Sequence, residues 1–278
     1  MLDIFRSIPF NSLAVRKSNG KLEFVSCRNY ETRNESTARL ISTADYLYCF
    51  NDFDWILINT DDRDHGNQYN GLKLFSYCTA TESYNHVVPD FLFDSWPQTQ
   101  FADYNESIKE LAKNGDIPAE TDLLGWRGAM THPNRRNLLK FTDPSKYDIQ
   151  EIVWDRTNPD KLVCHNFVSM TDAPKKWRYL IDVEGNGWSA RVKIFLFTKR
   201  VLFLQDRPYK EWWYDKLIPW SHYVPVAKDL SDLETNLNII RNDPVLEDHI
   251  RFNAFEFANK NLTRTNAIMR WGDILNAV

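Results

Sequence analysis

Apolar and polar positions follow two rhythms along the chain, and each predicts one kind of element. Short runs rich in branched and aromatic residues, bounded by polar or turn-forming stretches, predict strands at Leu22 to Val25, Trp55 to Asn59, Leu72 to Tyr77, Asp122 to Trp126, Trp177 to Val183, Val201 to Gln205 and Tyr223 to Val226. Apolar positions three and four apart predict helices over Glu35 to Ala44 behind an Asn34 cap, Ser107 to Asn114 closed by Gly115, Asn134 to Phe141 behind Pro133, Pro244 to Lys260 and Thr263 to Leu275. The sum is an α/β chain.

The stretch from Trp177 to Gln205 reads as strand, glycine-broken loop, helix and strand, within the span that a βαβ unit requires. Free N–H groups and the macrodipole at a helix start favour an anion, and Gly185 and Gly187 would let that anion come close to the backbone. Arg191, in the first helical turn, adds a guanidinium that can grip phosphate oxygens in pairs, so the unit is expected to hold a diphosphate. This unit, the later strand and their helices suffice for a second sheet. The expected domains are therefore 1–120 and 121–261, with the last helix, about 262–278, packing back on the first.

Composition narrows the function. At 278 residues the chain can bury two ordinary cores, and 43% hydrophobic with 26% charged residues is the balance of a globular protein. A net charge of −4 and a pI near 5.9 give no large basic surface for nucleic acid. Aromatics make up 14%, with 10 Trp; such rings suit sugars, although most should fill the core. No apolar run approaches the roughly 18 residues of a membrane span, and Met1 to Phe10 lacks the regions of a signal peptide, so a cytoplasmic protein is expected. Cys27, Cys49, Cys78 and Cys164 are scattered without a C-x-x-C pair, which argues for reduced, mostly buried thiols rather than a zinc site or a disulfide framework.

The strand Trp55 to Asn59 runs into Thr60-Asp-Asp-Arg-Asp-His-Gly66, a polar cluster at the carboxyl end of a strand, where open α/β sheets bind ligands. Three readings fit it. Asp62-Arg63-Asp64 can be a D-x-D clamp for a divalent ion bridging a nucleotide diphosphate, one carboxylate can be a general base, or the loop can be a solvated cap. Gly185-x-Gly187-x-x-Ala190, with Asp206 about 20 residues on, also matches the dinucleotide fingerprint and keeps an NAD-dependent oxidoreductase as a rival.

Several blocks together resemble glycosyltransferase family ninety: Tyr179 to Lys193, Glu211-Trp-Trp-Tyr214, Pro219 to Val226 and Asp229 to Leu233. That family includes the Rumi protein O-glucosyltransferases, fungal capsule-associated xylosyltransferases and bacterial lipopolysaccharide glycosyltransferases; the compact length and the Ile181 to Ser189 block look most like the last. The resemblance runs in blocks over about residues 55 to 276. It implies a GT-B-like fold, two Rossmann-like domains facing across a cleft, and inverting transfer from a UDP-sugar with neither metal nor cofactor.

The resemblance also assigns residues. Ile58-Asn-Thr-Asp-Asp62 stands where the family has Ile-Asn-Val-Arg-Asp, whose Asp is the catalytic base, so Asp62 takes that role. The Arg before and the Tyr-Pro after that Asp are missing here, which leaves Asp61 and Asp64 as alternatives. Arg127-Gly128 and Pro133-Asn-Arg135 resemble a family block whose last Arg, matched by Arg135, contacts the donor diphosphate; Ala129 replaces a family Ser. Arg191 matches the second diphosphate-binding Arg. The implied donor site comprises Arg127, Gly128, Arg135, Gly185, Asn186, Gly187, Ser189, Arg191 and Glu211. His222 is expected to be a satisfied buried histidine, and Trp212, Trp213 and Trp220 to pack first and carry ligand second. The implied acceptor is a lipopolysaccharide or other envelope glycan, reached peripherally at the inner face of the cytoplasmic membrane. A catalytically silent sugar-binding member remains the other alternative.

Overall fold

The computed structural model describes residues 5, 7–30, 32–153 and 166–278. Cys164 and the first four residues of the stretch read for a signal peptide lie outside them. The chain divides into two compact units.

The first unit comprises Met1–Tyr104, Pro208–Asp215 and Thr263–Val278. Its sheet contains β1 (Ser12–Ser18), β2 (Lys21–Arg28), β3 (Phe53–Asn59), β4 (Gln68–Tyr69) and β5 (Leu72–Ser76) in the order β2-β1-β3-β5-β4. Only β3 and β5 run parallel; the other neighbours are antiparallel. Strand β1 escapes the hydrophobic pattern because Arg16 and Lys17 interrupt its apolar run. Its turn was nevertheless encoded: Asn19 and Gly20 both take positive φ (51° and 74°), as a two-residue hairpin of this type requires.

Helix α1 (Arg33–Tyr48) is longer than its apolar pattern suggests and is capped at Thr32, not at Asn34. Asn34 lies inside the helix, and its buried Nδ2 instead donates to the carbonyls of Ser12 and Arg28, tying the helix to the hairpin. Phe5, Ile8, Phe10, Trp55, Leu57 and Leu74 form one core of this unit, and α1 buries Leu40, Ile41 and Ala44.

The second unit comprises Asn105–Arg207 and Lys216–Leu262. Its helices are α2 (Tyr104–Gly115), α3 (Pro133–Leu138), α4 (Ala173–Lys176), α5 (Arg191–Leu196), α6 (Leu233–Asn242) and α7 (Pro244–Asn261); α8 (Arg264–Asn276) closes the chain in the first unit. The strands β6 (Thr121–Gly128), β7 (Tyr147–Glu151), β8 (Trp177–Asp182), β9 (Val201–Gln205) and β10 (Val224–Val226) form an all-parallel sheet ordered β10-β9-β8-β6-β7. Counted within the unit this is the order 2-1-3-4-5 of doubly wound sheets, and the chain reverses direction across the sheet between β6 and β8. Strand β7 was not predicted: on the sheet edge its residues are mostly half-buried, and Tyr147-Asp-Ile-Gln-Glu has no apolar run. Trp126, Tyr179, Ile181, Val201, Phe203 and Val224 pack with Leu233, Leu237, Ile240 and Ile250 into the core of this unit.

Two segments correct the expected boundary near residue 120. Helix α2 belongs to the second unit, because Arg200 donates to the carbonyls of Gly115, Ile117 and Pro174 and fixes the helix end there. Pro208–Asp215 belongs to the first, where Lys210 and Thr79 exchange backbone hydrogen bonds of 2.9 Å.

Candidate functional site

The reversal between β6 and β8 marks where doubly wound sheets bind ligands, outside the strands' carboxyl ends. Strand β6 ends at Gly128 and β8 at Asp182, so Ala129 to Arg135 and Val183 to Arg191 both leave the sheet at this point. Most of the residues expected to bind the donor lie on these two segments.

Asp182, fully buried, organises them. Its Oδ1 meets Arg191 Nη2 at 2.8 Å and its Oδ2 meets Arg207 Nη1 at 2.7 Å, while Arg207 Nη2 donates to the Asp182 carbonyl. Burial pushes the Asp182 carboxyl up, but Arg191, Arg207 and Arg135 outweigh burial and hold it below its ordinary value. Arg191 also donates from Nη1 to the Arg127 carbonyl at 2.7 Å. Arg135 donates to the carbonyls of Glu184 (3.1 Å) and Ala129 (2.8 Å). The two guanidiniums stand at 5.8 Å from the same ring, that of Trp126.

Glu184 is buried as well; its carboxylate accepts from Asn134 Nδ2 at 3.3 Å and faces His132 Nε2 at 3.7 Å. Among the described residues three guanidiniums thus act on the one Asp182 carboxylate, and positive charge exceeds negative around it. That balance suits a ligand with two or more negative charges.

Neither Gly185 nor Gly187 has positive φ, so neither meets a backbone demand for glycine. A Cβ on Gly185 would lie 2.6 Å from Arg135 Nη2, so the missing side chain makes room for the guanidinium. A Cβ on Gly128 would lie 2.5 Å from the Trp126 ring. Helix α5 has only six residues, and its cap, Ala190, offers no side-chain oxygen. The charge for an anion therefore comes from arginines more than from a long helix dipole. Asn186 is exposed and Ser189 buried at the edge of this loop.

Arg127, expected at the donor site, is held by the framework of the second unit. Its five N–H groups are spent on the Asn166, Trp126 and Asp148 carbonyls and on both oxygens of the Asp148 carboxylate. Glu211 belongs to the first unit, where it is buried and accepts from Trp213 Nε1 at 3.2 Å, not to the domain expected to bind nucleotide. Arg207, Asp182, Glu184 and His132 were not singled out from the sequence. An acid closing the apolar run Tyr179 to Asp182 was a usable signal; Arg207, after a strand and in no spacing pattern, offered none.

In the first unit the loop after β3 gives each acid its own partner. Asp62 Oδ1 meets Arg33 Nη1 at 3.0 Å. Asp61 accepts the Asp62 N–H and faces His65 at 3.8 Å. Asp64 accepts from the Gly66 N–H and faces His86 at 3.6 Å. Burial pushes Asp64 up, but the contacts with His86 and the N–H of Gly66 prevail and hold it below its ordinary value. Among the described residues no group of three or more His, Cys, Asp or Glu is arranged to hold a metal ion. In the second unit His222 is half-buried with Nδ1 accepting from the Ile218 N–H, and burial followed by His249 lowers its proton affinity.

The model of glycosyl transferase family 90 matches residues 40–277. The chain is similar to protein O-glucosyltransferase 2 of Danio rerio, 28% identical over 71% of this chain and 40% of that protein. It is also similar to protein O-glucosyltransferase 3 of Homo sapiens, 38% identical over 71% of this chain and 39% of that protein. The chain thus spans well under half the length of these two curated relatives. Among solved structures, the C-terminal domain of a glycosyl transferase group 1 family protein from Francisella tularensis aligns over 55% of this chain and 92% of that domain, with a TM-score of 0.38 and 8% identity.

Proposed function

The chain belongs to glycosyl transferase family 90, and from that premise we propose that it moves a sugar from a UDP-sugar to a hydroxyl of an envelope glycan, with inversion and without a metal. The observation that carries the donor half is the convergence of Arg135, Arg191 and Arg207 on Asp182 at the reversal of a parallel sheet. A dinucleotide would also favour that position. The arginine excess and the family favour a donor whose diphosphate leaves during the reaction.

The acceptor oxygen attacks the anomeric carbon on the face opposite the diphosphate. Asp62 takes the hydroxyl proton as the new C–O bond forms, and the bond to UDP breaks with its electron pair moving to the phosphate oxygens. Arg191 and Arg135 meet the charge that develops there. No ion is needed for that charge, and Asp62 and Asp64 are engaged by Arg33 and His86 rather than aimed at one point.

Two observations bear on the acceptor. Cys27, Cys49 and Cys78 are free thiols, which suits a reducing compartment and so a glycan assembled on the cytoplasmic side of a membrane. No helix among the described residues is long and apolar enough to cross a membrane, and the proposed approach to such a glycan is peripheral. The named relatives are protein O-glucosyltransferases, which favours a protein hydroxyl as the second reading.

The test is UDP release from a panel of UDP-sugars, with core lipooligosaccharide and with a folded protein domain as acceptors, and with product analysis by NMR. Inverted linkage on the glycan is expected, undiminished by chelator. Asp62→Asn should keep UDP binding and lose about 100- to 10,000-fold in turnover. No UDP release from any donor overturns the transferase reading; loss with chelator and rescue by manganese overturns metal independence; transfer to the protein domain alone overturns the acceptor.

A further inference from the structure

The loop after β3 lacks the arginine that the family motif carries immediately before its base; Asp61 stands there instead. A guanidinium reaches Asp62 by another route. We infer that Arg33, the first residue of α1, is the positioning residue of the base, fixing the Asp62 carboxylate so that one oxygen stays available to the acceptor hydroxyl. The inference rests on the reading of Asp62 as base.

Arg33 is buried, and a single nitrogen, Nη1, donates to Asp62 Oδ1 at 3.0 Å and to the Thr60 carbonyl at 2.9 Å. One nitrogen therefore joins the end of β3 to the carboxylate two residues on, which sets the distance and direction of that carboxylate from the sheet. Two aromatic rings flank the guanidinium. Its carbon lies 4.7 Å from the centre of the Tyr30 ring and 5.1 Å from that of Phe91, and Phe91 is itself buried. Asp62 remains partly exposed with Oδ1 engaged, so Oδ2 is the oxygen left for a proton.

Asp61 faces His65 at 3.8 Å and Asp64 faces His86 at 3.6 Å, both imidazoles. A base misaimed by about 1 Å can lose on the order of 100-fold in rate, which is the scale on which a positioning residue acts.

The experiment measures kcat and donor KM for Arg33→Met and Arg33→Lys, alone and combined with Asp62→Asn, with the donor and acceptor that turn over in the assay above. Arg33→Met should lower kcat about 10- to 100-fold with donor KM within about twofold. Arg33→Lys should recover part of it, because an ammonium can still reach Oδ1. In the Asp62→Asn background the same Arg33 change should cost less than about threefold, since the group that it positions no longer accepts a proton. A merely structural arginine would lower both backgrounds equally, and that result overturns the inference, as does parental kcat in Arg33→Met. If Arg33→Met does not fold, by circular dichroism, Arg33→Lys is judged by the same comparison. Parental turnover in Asp62→Asn, or no turnover in the parent, removes the base reading and this inference with it; a normal Arg33→Met beside a dead Asp62→Asn removes this inference alone.

Discussion

Replacing Arg191 with Ala tests the donor site most directly. The side chain bridges Asp182 Oδ1 and the Arg127 carbonyl and is 17% exposed, so a diphosphate meeting it would exchange charge-assisted hydrogen bonds in a mostly dry setting. Truncating one partner of such a buried charge pair costs about 2 to 5 kcal/mol of binding. Because Arg191 keeps some contact with water and Arg135 and Arg207 remain, the lower part of that range applies. At about 2 to 3 kcal/mol, the Kd for UDP should rise roughly 30- to 150-fold.

The folded state should lose less. Asp182 keeps the Arg207 hydrogen bond on Oδ2 and loses only the Arg191 charge facing Oδ1 at 2.8 Å, a loss of about 1 to 3 kcal/mol. Calorimetry with UDP measures the first quantity and urea unfolding the second. A folded Arg191→Ala protein whose Kd stays within threefold of the parent would refute the assignment of the arginine cluster to a diphosphate.

Asp182→Asn should act oppositely, lowering the stability of the free protein by about 3 to 5 kcal/mol at pH 7, because it leaves guanidiniums facing one another without their buried counter-charge. The folded pKa of Asp182 is depressed, so its contribution is complete above the unfolded value of about 3.9 and fades as pH falls through the folded value. The parent should therefore lose stability below about pH 4 more steeply than the variant, and parallel urea midpoints across that range would contradict this account. Gly185→Ala should leave unfolding nearly unchanged, since its φ is not positive, but push Arg135 from its seat and weaken UDP binding about tenfold, near 1.4 kcal/mol. Unchanged UDP affinity in a folded Gly185→Ala protein would mean that Arg135 does not touch the ligand.

The centre of the parallel sheet was legible because β8 and β9 are buried on both faces, unlike the edge strand β7. Trp177 to Val183 and Val201 to Gln205 read as mostly apolar runs, and the glycine-broken loop between them gave the connection. The first sheet was half hidden: β1 and β2 form a hairpin whose charged residues break the run, and the information lay in the Asn19-Gly20 turn. Arg135, Arg191 and Asp62 stand out as candidates from spacing or family pattern because each lies within a motif. Arg207 and Arg33 do not, because each meets its carboxylate only through tertiary packing, 25 and 29 residues away along the chain. Arg127 shows the converse: a motif match records the residue type, whereas its five N–H groups are engaged by partners on β6, β7 and Asn166.

Under the proposed function, burial within each ion pair separates the partner proposed to act from the partner that holds it. In the second unit Asp182 is 0% exposed and Arg191 17%, so the carboxylate is the fixed member and the arginine is the one a ligand can meet. In the first unit the signs are exchanged: Arg33 is 6% exposed and Asp62 35%, so the arginine is fixed and the carboxylate is available. Arg127 and Asp148, at 4% and 15%, are joined by two hydrogen bonds, with the remaining arginine donors on carbonyls, and neither member is left to bind. A fully buried member cannot reorient without losing its partner in a dry setting, so it presets the other's direction before any substrate arrives. That preset is what stabilisation of a developing charge or a departing proton requires, because no reorganisation is then needed during the reaction. The same asymmetry explains why the most informative substitutions are paired: Asp182→Asn with Arg191→Ala, and Arg33→Met with Asp62→Asn. In each pair, loss of the held member should disturb the acting one, whereas once the acting member is gone the held member should matter for stability alone.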